Sequence, residues 1–264
     1  MASSALLNIM IKAAQKAGRA LTRDFGEIEN LQVSRKGPAN FVSNADYNAE
    51  EIIRDELLKA RPTYSFLMEE SGEIKGEDGQ HRWIIDPLDG TTNFLHGIPL
   101  FASCIALERN GEIVASVIYN PIMEETFTAE RGGGAWLDGR KRLRVGGRNK
   151  LSDCLAVTGI NSKSATGTAR EIKQLAHITP SLSGIRRTGS ACTDLAWLAA
   201  GRFDLYWEAE LSPWEIAPGL LMVREAGGFI TDFSGRDNSI LRGEVVAGNE
   251  RMQAALLKSI KATG

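Results

Sequence analysis

The stretch WIIDPLDGTTN at residues 83–93 contains an apolar strand, a turn and the start of a helix. The strand is predicted to end at Asp86, Pro87 forces the chain to turn, and Asp89 follows on that turn. Gly90 then precedes two threonines that can open a short helix. We therefore expect two carboxylates to project from one rigid turn between a strand and a helix.

The two aspartates of this stretch have the spacing of a cation site beside a phosphate site. Asp86 and Asp89 can share one or two hard cations, with the Leu88 carbonyl as a further oxygen ligand. A helix that starts at Gly90-Thr91 offers unpaired N–H groups and the positive end of a dipole to a phosphate. Metal-assisted hydrolysis of a phosphate ester needs both features, although the same residues would also form an ordinary surface turn.

Hydrophobic periodicity on either side of this stretch predicts the elements of the first half of the chain. Apolar residues at helical spacing predict one helix from Leu6 to Phe25 and a second from Ser43 to the residue before Pro62. Asn110-Gly111 predicts a type I′ turn between two strands. The segments predicted as strands are Tyr64–Met68, Arg82–Asp86, Phe101–Glu108, Ile113–Tyr119, Glu125–Ala129, Ala135–Leu137 and Leu143–Val145.

Glycines and charges at residues 146–150 predict a domain boundary. It separates an N-terminal α+β region (1–147) from a C-terminal α/β region (148–264), and the fold class of the whole chain is layered α/β. The strands predicted in the second region are Cys154–Thr158, Phe203–Trp207, Phe229–Thr231 and Glu244–Val246. The helices predicted there, before a closing helix, are Thr168–His177, Ser190–Ala200 and Trp214–Ala226.

The composition excludes several classes of protein. The chain of 264 residues has 31 Lys and Arg against 33 Asp and Glu, a formal net charge of −2. This balance argues against a surface built wholly for nucleic acid or anionic membrane. The three cysteines form neither a disulfide framework nor a CxxC metal site, and no segment has the form of a signal peptide or a membrane span. We therefore expect a soluble protein of the reducing cytoplasm.

Three further acidic residues lie in patterns that have ordinary structural explanations. Glu69 lies in the loop after a predicted strand, where it is either a solvated charge or a neighbour of Asp86. Glu215 lies in the first turn of a predicted helix, where the helix dipole favours a carboxylate without any metal. Asp46 stands three residues after Ser43, the spacing of a capping box. Taken singly, each pattern favours the structural explanation.

In combination, the acidic segments resemble the inositol monophosphatase family, including its bacterial members of the extragenic-suppressor type. The resemblance covers essentially the whole chain. The segments that carry it, in the family's order and spacing, are Glu69-Glu70-Ser71, residues 83–93, and Trp214-Glu215-Ile216-Ala217 leading to Glu225-Ala226-Gly227-Gly228. It implies an αβαβα layered sandwich, a homodimer, two to three Mg²⁺ per active site, inhibition by Li⁺, and hydrolysis of a phosphate monoester such as myo-inositol 1-phosphate.

The resemblance also implies which residues hold the metal ions. Glu69, Asp86 and the Leu88 carbonyl would hold the first ion. Asp86, Asp89 and Glu215 would hold the second. Glu69 would also support a weaker third. Such a site needs no histidine as a general acid, because cations activate the water and stabilise the leaving oxygen.

The remaining roles implied by the resemblance are catalytic and substrate-binding. Thr91 would orient the attacking water, with Asp46 behind it accepting the hydroxyl proton, so that the catalytic residues are these two and Glu69. Ser190 is also a candidate helix cap, and Glu208 a simple charge at a strand end. The residues implied to contact the substrate are Asp89, Gly90, Thr91, Gly189, Ser190, Ala191 and Glu208.

The chain departs from the family pattern at two positions. Glu215 stands where the family usually has aspartate, and its extra methylene moves the carboxylate by about 1.5 Å. Because Mg²⁺ requires near-ideal octahedral geometry, we expect the second ion to be retained but held more weakly. Met68 stands where the family often has glycine, a change that we expect to be neutral if Met68 ends a buried strand.

Two alternatives stay open. The same chemistry could act on fructose 1,6-bisphosphate, histidinol phosphate or a 3′-phosphoadenosine nucleotide, because the motifs encode the reaction and not the sugar. The basic run Gly139–Arg144 could bind RNA, since some bacterial relatives act in RNA polymerase and ribosomal RNA complexes. A solvated hairpin turn is the other explanation of this run, and the near-neutral net charge favours it.

Overall fold

A computed structural model describes residues 4–27, 33–37, 40–160, 165–237 and 239–263 of the chain, with the backbone alone for 33–37 and 40–42. The helices are α1 (Ala5–Phe25), α2 (Asn44–Ala60), α3 (Thr91–Leu95), α4 (Ala165–Ile178), α5 (Ala191–Ala199), α6 (Pro213–Glu225), α7 (Ser239–Arg242) and α8 (Glu250–Lys261). The strands are β1 (Val33–Gly37), β2 (Asn40–Ser43), β3 (Ser65–Met68), β4 (Gly72–Ile74), β5 (His81–Asp89), β6 (Ala102–Arg109), β7 (Glu112–Asn120), β8 (Glu125–Glu130), β9 (Gly134–Leu137), β10 (Lys141–Arg142), β11 (Leu155–Thr158), β12 (Gly184–Arg186), β13 (Leu205–Glu208), β14 (Phe229–Thr231) and β15 (Val245–Gly248).

The strands form two larger sheets and one small pair. The first sheet has eight strands in the order β10-β9-β8-β7-β6-β5-β3-β4 and is antiparallel except for the pair β3–β5. The second has five strands in the order β12-β11-β13-β15-β14, with parallel pairing of β11 to β12 and to β13. β1 and β2 pair with each other in antiparallel fashion.

Burial of apolar surface arranges helices and sheets in five layers. α1 and α2 pack on one face of the eight-stranded sheet, where Met10, Leu21 and Ile53 are fully buried. α5 and α6 fill the space between the two sheets, and Leu195 and Met222 belong to a cluster that draws on strands of both. α8 and the end of α4 cover the outer face of the five-stranded sheet. The order helix, sheet, helix, sheet, helix confirms the predicted αβαβα sandwich.

The predicted helices form within a few residues of their predicted ends, and so do most of the predicted strands. The segment between β6 and β7 is a clear example, because Asn110 and Gly111 both have positive φ angles, 52° and 81°, as a type I′ turn requires. The short strands β1, β2, β4 and β12 were not predicted, since three to five residues carry too little periodicity to be detected.

One predicted strand, Leu143–Val145, is wrong. The amide of Leu143 donates to the Ala135 carbonyl at 2.8 Å, whereas that of Val145 donates to the Ala226 carbonyl at 3.2 Å. These consecutive amides bond to two different elements, so the chain leaves the eight-stranded sheet here and crosses to the end of α6. The edge strand is β10, immediately before this segment.

The predicted domain boundary at 146–150 lies between the two larger sheets. The eight-stranded sheet takes its strands from residues 65–142 and the five-stranded sheet from residues 155–248. One hydrophobic cluster nevertheless contains residues of both halves, from Ile84 to Ala247. The division into two domains therefore stays a prediction.

No helix within the described part of the chain combines the length and the apolar composition that crossing a membrane requires.

Candidate active site

A bulge in β5 places Asp86 and Asp89 on the same face of the eight-stranded sheet. Asp86 is paired with Cys104 of β6 and Asp89 with Ala102, so three steps along β5 lie opposite two along β6. Residues three apart in a regular strand face opposite sides of the sheet. The extra residue of the bulge turns Asp89 back to the side that Asp86 faces. Pro87, which has no N–H for a ladder bond, lies within the bulge. β5 therefore does not end at Asp86 as predicted, and both carboxylates face the layer of α5 and α6.

The parallel pairing of β3 with β5 brings Glu69 beside Asp86. Met68 is in register with Ile85, and the Glu69 amide donates to the Ile85 carbonyl at 3.3 Å. Asp86 is only 1% exposed, and its Oδ1 accepts a hydrogen bond from the Leu88 amide at 3.1 Å. Burial, followed by the charges of Glu69 and Asp89, raises the pKa of Asp86 well above its ordinary value. A nearby cation would oppose both effects and favour the ionised form of Asp86.

Asp89 lies against the N-terminus of α5. Its carboxylate accepts hydrogen bonds from the Ser190 hydroxyl at 2.6 Å and from the amides of Cys192 at 2.8 Å and Ala191 at 3.2 Å. Burial raises the pKa of Asp89 to about 7, opposed by the Ser190 hydrogen bond and reinforced by the charge of Glu215. Ser190 occupies the N-cap position of α5, as the alternative predicted, but its side chain makes no capping hydrogen bond. The free amides of α5 are satisfied by Asp89 instead.

Thr91 connects Asp46 to the carbonyl of Leu88. Its Oγ1 lies 3.1 Å from Asp46 Oδ1 and 3.0 Å from the Leu88 carbonyl oxygen. The other oxygen of Asp46 accepts from the Ser43 amide at 2.8 Å and the Ser43 hydroxyl at 2.7 Å. Burial raises the pKa of Asp46, although the hydrogen bonds from Ser43 and Thr91 oppose that effect. Asp46 thus caps α2 and also contacts Thr91.

Glu215 occupies the first turn of α6 and faces the aspartates of β5. Its Oε2 accepts a hydrogen bond from the Ser212 amide at 2.7 Å, which is half of a capping box. Its charge contributes to the raised pKa values of Asp86, Asp89 and Glu208. Glu215 therefore lies in the first turn of α6, as predicted, and caps that helix while its charge also acts on the acidic cluster.

Glu208 ends β13 on the other side of this cluster. The Tyr206 hydroxyl donates to its Oε2 at 2.8 Å. Burial raises the pKa of Glu208 to about 8, and the charges of Glu215 and Asp89 act in the same direction. Glu208 is therefore more than an exposed charge at a strand end.

Two glycines allow the segments before α3 and α5 to approach each other. Gly90 has a φ of 97°, and a Cβ added to it would lie 3.4 Å from the Gly189 carbonyl oxygen. Gly189 has a φ of 87°, and a Cβ there would lie 3.0 Å from Asn93 Oδ1. Asn93 also donates to the carbonyl oxygens of Leu100 and Thr188, both at 2.8 Å. The predicted substrate residues before α5 thus lie directly against the start of α3.

Glu50 is a residue of this region that the sequence analysis missed. It is 2% exposed, its Oε2 accepts from the Glu70 amide at 2.8 Å, and its Oε1 accepts from the Ser71 hydroxyl. These bonds fix the segment that carries Glu69. The available signal was the position of Glu50 four residues after Asp46, which places both on one face of α2.

Two thiols lie next to Asp89. Ligand atoms of Asp89, Cys104 and Cys192 are all within 4.8 Å of one another. Burial raises the pKa of the Cys104 thiol to about 12, and that of Cys192 well above its ordinary value. Thiols in this state are neither nucleophiles nor ligands for a hard cation, which takes oxygen donors. Asp89 is the member of this group that suits Mg²⁺.

The predicted basic run lies away from this cluster. Lys141 and Arg142 form the edge strand β10, and the side chains of Arg140, Lys141, Arg142 and Arg144 are exposed. Arg142 packs over the ring of Trp136, with 5.8 Å between its guanidinium carbon and the ring centroid. The run is therefore a positively charged surface that the acidic site does not use.

Sequence comparison identifies the family of the chain. The sequence model of the inositol monophosphatase family matches residues 3–263. The chain is 59% identical over 261 residues to a protein of Mesorhizobium japonicum named inositol-1-monophosphatase, covering 99% of this chain and 98% of that one. It is 41% identical over 256 residues to the Nus factor SuhB of Escherichia coli, covering 97% and 96% respectively.

The fold agrees as well. The crystal structure of the extragenic suppressor protein suhB from Bartonella henselae superposes with a TM-score of 0.95 at 55% identity, covering 98% of this chain and 99% of that one. With the family matched over nearly the whole chain, and relatives of high identity, this protein belongs to the inositol monophosphatase family of metal-dependent phosphatases.

Proposed function

We propose that this protein hydrolyses myo-inositol 1-phosphate to inositol and phosphate with Mg²⁺ as cofactor. The observation that carries the proposal is the pair Asp86 and Asp89, both buried and both turned to one face by the bulge in β5. No ion pair joins either of them to a lysine or arginine among the described residues. Two buried carboxylates without a basic partner repel each other and favour divalent cations.

The residues present fit two to three Mg²⁺ ions. All the donors in the proposed set are oxygens, which is the ligand class that Mg²⁺ requires. When bound, the ions lower the pKa of a coordinated water and stabilise the charge on the leaving oxygen. The proposed ligands are Glu69, Asp86, the carbonyl of Leu88, Asp89 and Glu215.

Thr91 and Asp46 are proposed to orient the attacking water. The Thr91 hydroxyl has two acceptors for its one proton, Asp46 Oδ1 and the Leu88 carbonyl, so the lone pairs of Oγ1 are left to accept a hydrogen bond from water. Asp46 cannot rotate away, because its second oxygen is held by Ser43. Thr91 and Asp46 therefore supply general-base assistance at a fixed position, and Glu69 lies close to Asp86.

The polyol is proposed to lie between α5 and the end of β13. The phosphate would lie at Gly90 and Thr91, and the ring hydroxyls would face Asp89, the segment 189–191 and Glu208. The proposal includes inhibition by Li⁺ at the second metal position, a homodimer, and a cytoplasmic location. A ring hydroxyl between α5 and β13 would have two hydrogen-bond partners, the carboxyl groups of Asp89 and Glu208, whose pKa values are both raised.

Phosphate release from myo-inositol 1-phosphate tests the proposal. We expect activity that depends on Mg²⁺, disappears with EDTA and is lost in the variant Asp86→Ala. Activity that survives either treatment would reject metal-assisted hydrolysis. A parallel screen of fructose 1,6-bisphosphate, histidinol phosphate and a 3′-phosphoadenosine nucleotide decides between the substrates, since these share the reaction and differ in the group attached to phosphate.

The basic run Gly139–Arg144 supports a second candidate function, binding of RNA. Its four basic side chains are exposed on an edge of the first sheet, and the Escherichia coli relative is named a Nus factor. Phosphate contacts by such side chains give an affinity that falls with salt. We expect salt-dependent binding of single-stranded RNA that is lost when Arg140, Lys141 and Arg142 are changed to glutamine. If this variant binds RNA as tightly as the wild-type protein does, the basic run is a solvated turn and not an RNA-binding surface.

A further inference from the structure

The carboxyl group of Glu208 lies directly over the backbone of Gly159. β11 and β13 are parallel neighbours in which Thr158 is in register with Trp207, so the next residues, Gly159 and Glu208, lie side by side where both strands end. The Thr158 hydroxyl donates to the Trp207 carbonyl oxygen at 2.5 Å and fixes this end of the pair. The positions of Gly159 and Glu208 are thus set by the sheet.

Gly159 has no room for a side chain. A Cβ added to it would overlap Oε1 and Cδ of Glu208 and would lie 2.6 Å from Oε2. The φ angle of Gly159 is outside the left-handed region, so another residue could adopt its backbone conformation. The requirement for glycine here is therefore one of space, and the space is filled by a carboxyl group.

Tyr206 holds the same carboxyl group from another direction. Tyr206 and Glu208 are two residues apart in β13 and therefore project from the same face. The Tyr206 hydroxyl donates to Oε2 at 2.8 Å, and its ring is fully buried. Oε1, which the Tyr206 hydroxyl does not contact in this way, is the oxygen nearest to Gly159.

We propose that Gly159 and Tyr206 are positioning residues for substrate specificity, which together hold the Glu208 carboxyl group where it meets a hydroxyl of the polyol. The proposal rests on the proposed function, because it assumes that Glu208 faces the polyol. It also defines the substrate class, because a carboxyl group held at a fixed position by these two residues is a hydrogen-bond partner for a ring hydroxyl.

The variant Gly159→Ala tests the proposal by comparing two esters. The added methyl group displaces the Glu208 carboxyl group, so we expect KM for myo-inositol 1-phosphate to rise about 10-fold with kcat changed less than about twofold. For p-nitrophenyl phosphate, which has no polyol hydroxyl, we expect kcat/KM to stay within about twofold. Gly147→Ala is the matched control, because a Cβ there meets nothing within 4 Å and its φ is not left-handed.

Two further variants separate positioning from a general structural role. Tyr206→Phe removes only the hydroxyl and should raise KM for myo-inositol 1-phosphate about 5-fold, the equivalent of one hydrogen bond. In Glu208→Asp the shorter side chain withdraws from Gly159. Adding Gly159→Ala to this variant should therefore cause no further change in KM for myo-inositol 1-phosphate. Such non-additivity arises only if Gly159 acts through Glu208.

The outcomes that overturn the proposal are distinct from failure of the proposed function. If Gly159→Ala lowers kcat/KM equally for both esters, or leaves KM for myo-inositol 1-phosphate unchanged, Gly159 does not position Glu208. If Gly159→Ala fails to fold, Tyr206→Phe and Glu208→Asp are assayed with the same two esters. A loss confined to myo-inositol 1-phosphate then supports the proposal, and an equal loss for both esters overturns it. If the wild-type protein cleaves p-nitrophenyl phosphate but not myo-inositol 1-phosphate, the polyol assignment and this inference fall together while the phosphatase chemistry stands.

Discussion

Thr91 Oγ1 lies 3.1 Å from Asp46 Oδ1, while Asp46 Oδ2 caps α2 through the amide and hydroxyl of Ser43. One buried carboxylate therefore serves a helix terminus and a candidate catalytic hydroxyl at the same time. The two roles use different oxygen atoms, so substitutions on the two sides of Asp46 can separate them.

We expect Thr91→Val to reduce kcat by about 100-fold without lowering Tm by more than a few degrees, because it removes the hydroxyl and keeps the shape. Ser43→Ala is the matched control. It should lose about 1 kcal/mol of stability through the cap and retain most of the activity. Activity assays and thermal melts of both variants check this, and equal loss of activity in the two would contradict separate roles for the oxygens.

We expect Glu50→Gln to raise the Mg²⁺ concentration that gives half-maximal activity. The Glu70 amide and the Ser71 hydroxyl donate to different oxygens of the Glu50 carboxylate, and an amide side chain has an oxygen at only one of these two positions. The segment that carries Glu69 then loses its fixed position, whereas saturating Mg²⁺ restores it. Glu51→Gln, on the exposed side of α2, should leave the Mg²⁺ titration unchanged. An unchanged titration in Glu50→Gln would mean that the segment is held in place by other contacts.

We expect Glu215→Asp to lower the Mg²⁺ requirement. The extra methylene of Glu215 displaces its carboxylate by about 1.5 Å from where the family's usual aspartate would place it, and Mg²⁺ tolerates little distortion. The same change weakens the bond to the Ser212 amide, so Tm should fall slightly. A Mg²⁺ titration of activity measures the effect. An unchanged or higher Mg²⁺ requirement in Glu215→Asp would contradict the prediction.

The stabilisation by Mg²⁺ should grow with pH. In the metal-free protein the pKa of Asp89 is raised from 3.8 to about 7, and that of Asp86 is also raised. The folded state then holds protons that the unfolded chain has lost, so Asp89 favours the fold below pH 3.8 and loses that contribution as the pH rises through about 7, and Asp86 acts in the same direction. Mg²⁺ binds the deprotonated carboxylates, so the gain in Tm on adding Mg²⁺ should increase over this interval.

Thermal melts with EDTA or Mg²⁺ at several values between pH 5 and pH 8 measure that gain. Asp89→Asn cannot titrate at this position, so its gain should be smaller and depend less on pH. A gain that is the same at every pH in the wild-type protein would show that metal binding does not compete with protons at Asp86 and Asp89.

Local sequence was sufficient for most of the elements, whereas the acidic segments were selected by their resemblance to a family and not by local pattern. The helical spacing in α1 and α2 and the Asn110-Gly111 turn are determined by neighbouring residues, and each forms as predicted. Short strands such as β4 and β12 form only because an adjacent strand offers hydrogen bonds, so three residues of sequence do not reveal them. Leu143–Val145 has strand-like composition but bonds to two different elements.

What the sequence by itself determined is the chemistry available: carboxylates at fixed spacings, a threonine beside them, and few histidines. Only the tertiary structure decided their arrangement. The bulge in β5 depends on pairing with β6, and Ser190 reaches Asp89 across 101 residues of chain. The carboxyl group of Glu208 lies over Gly159 because two parallel strands end together. Local periodicity carries no information on such contacts, since they form only when separate layers pack around one core.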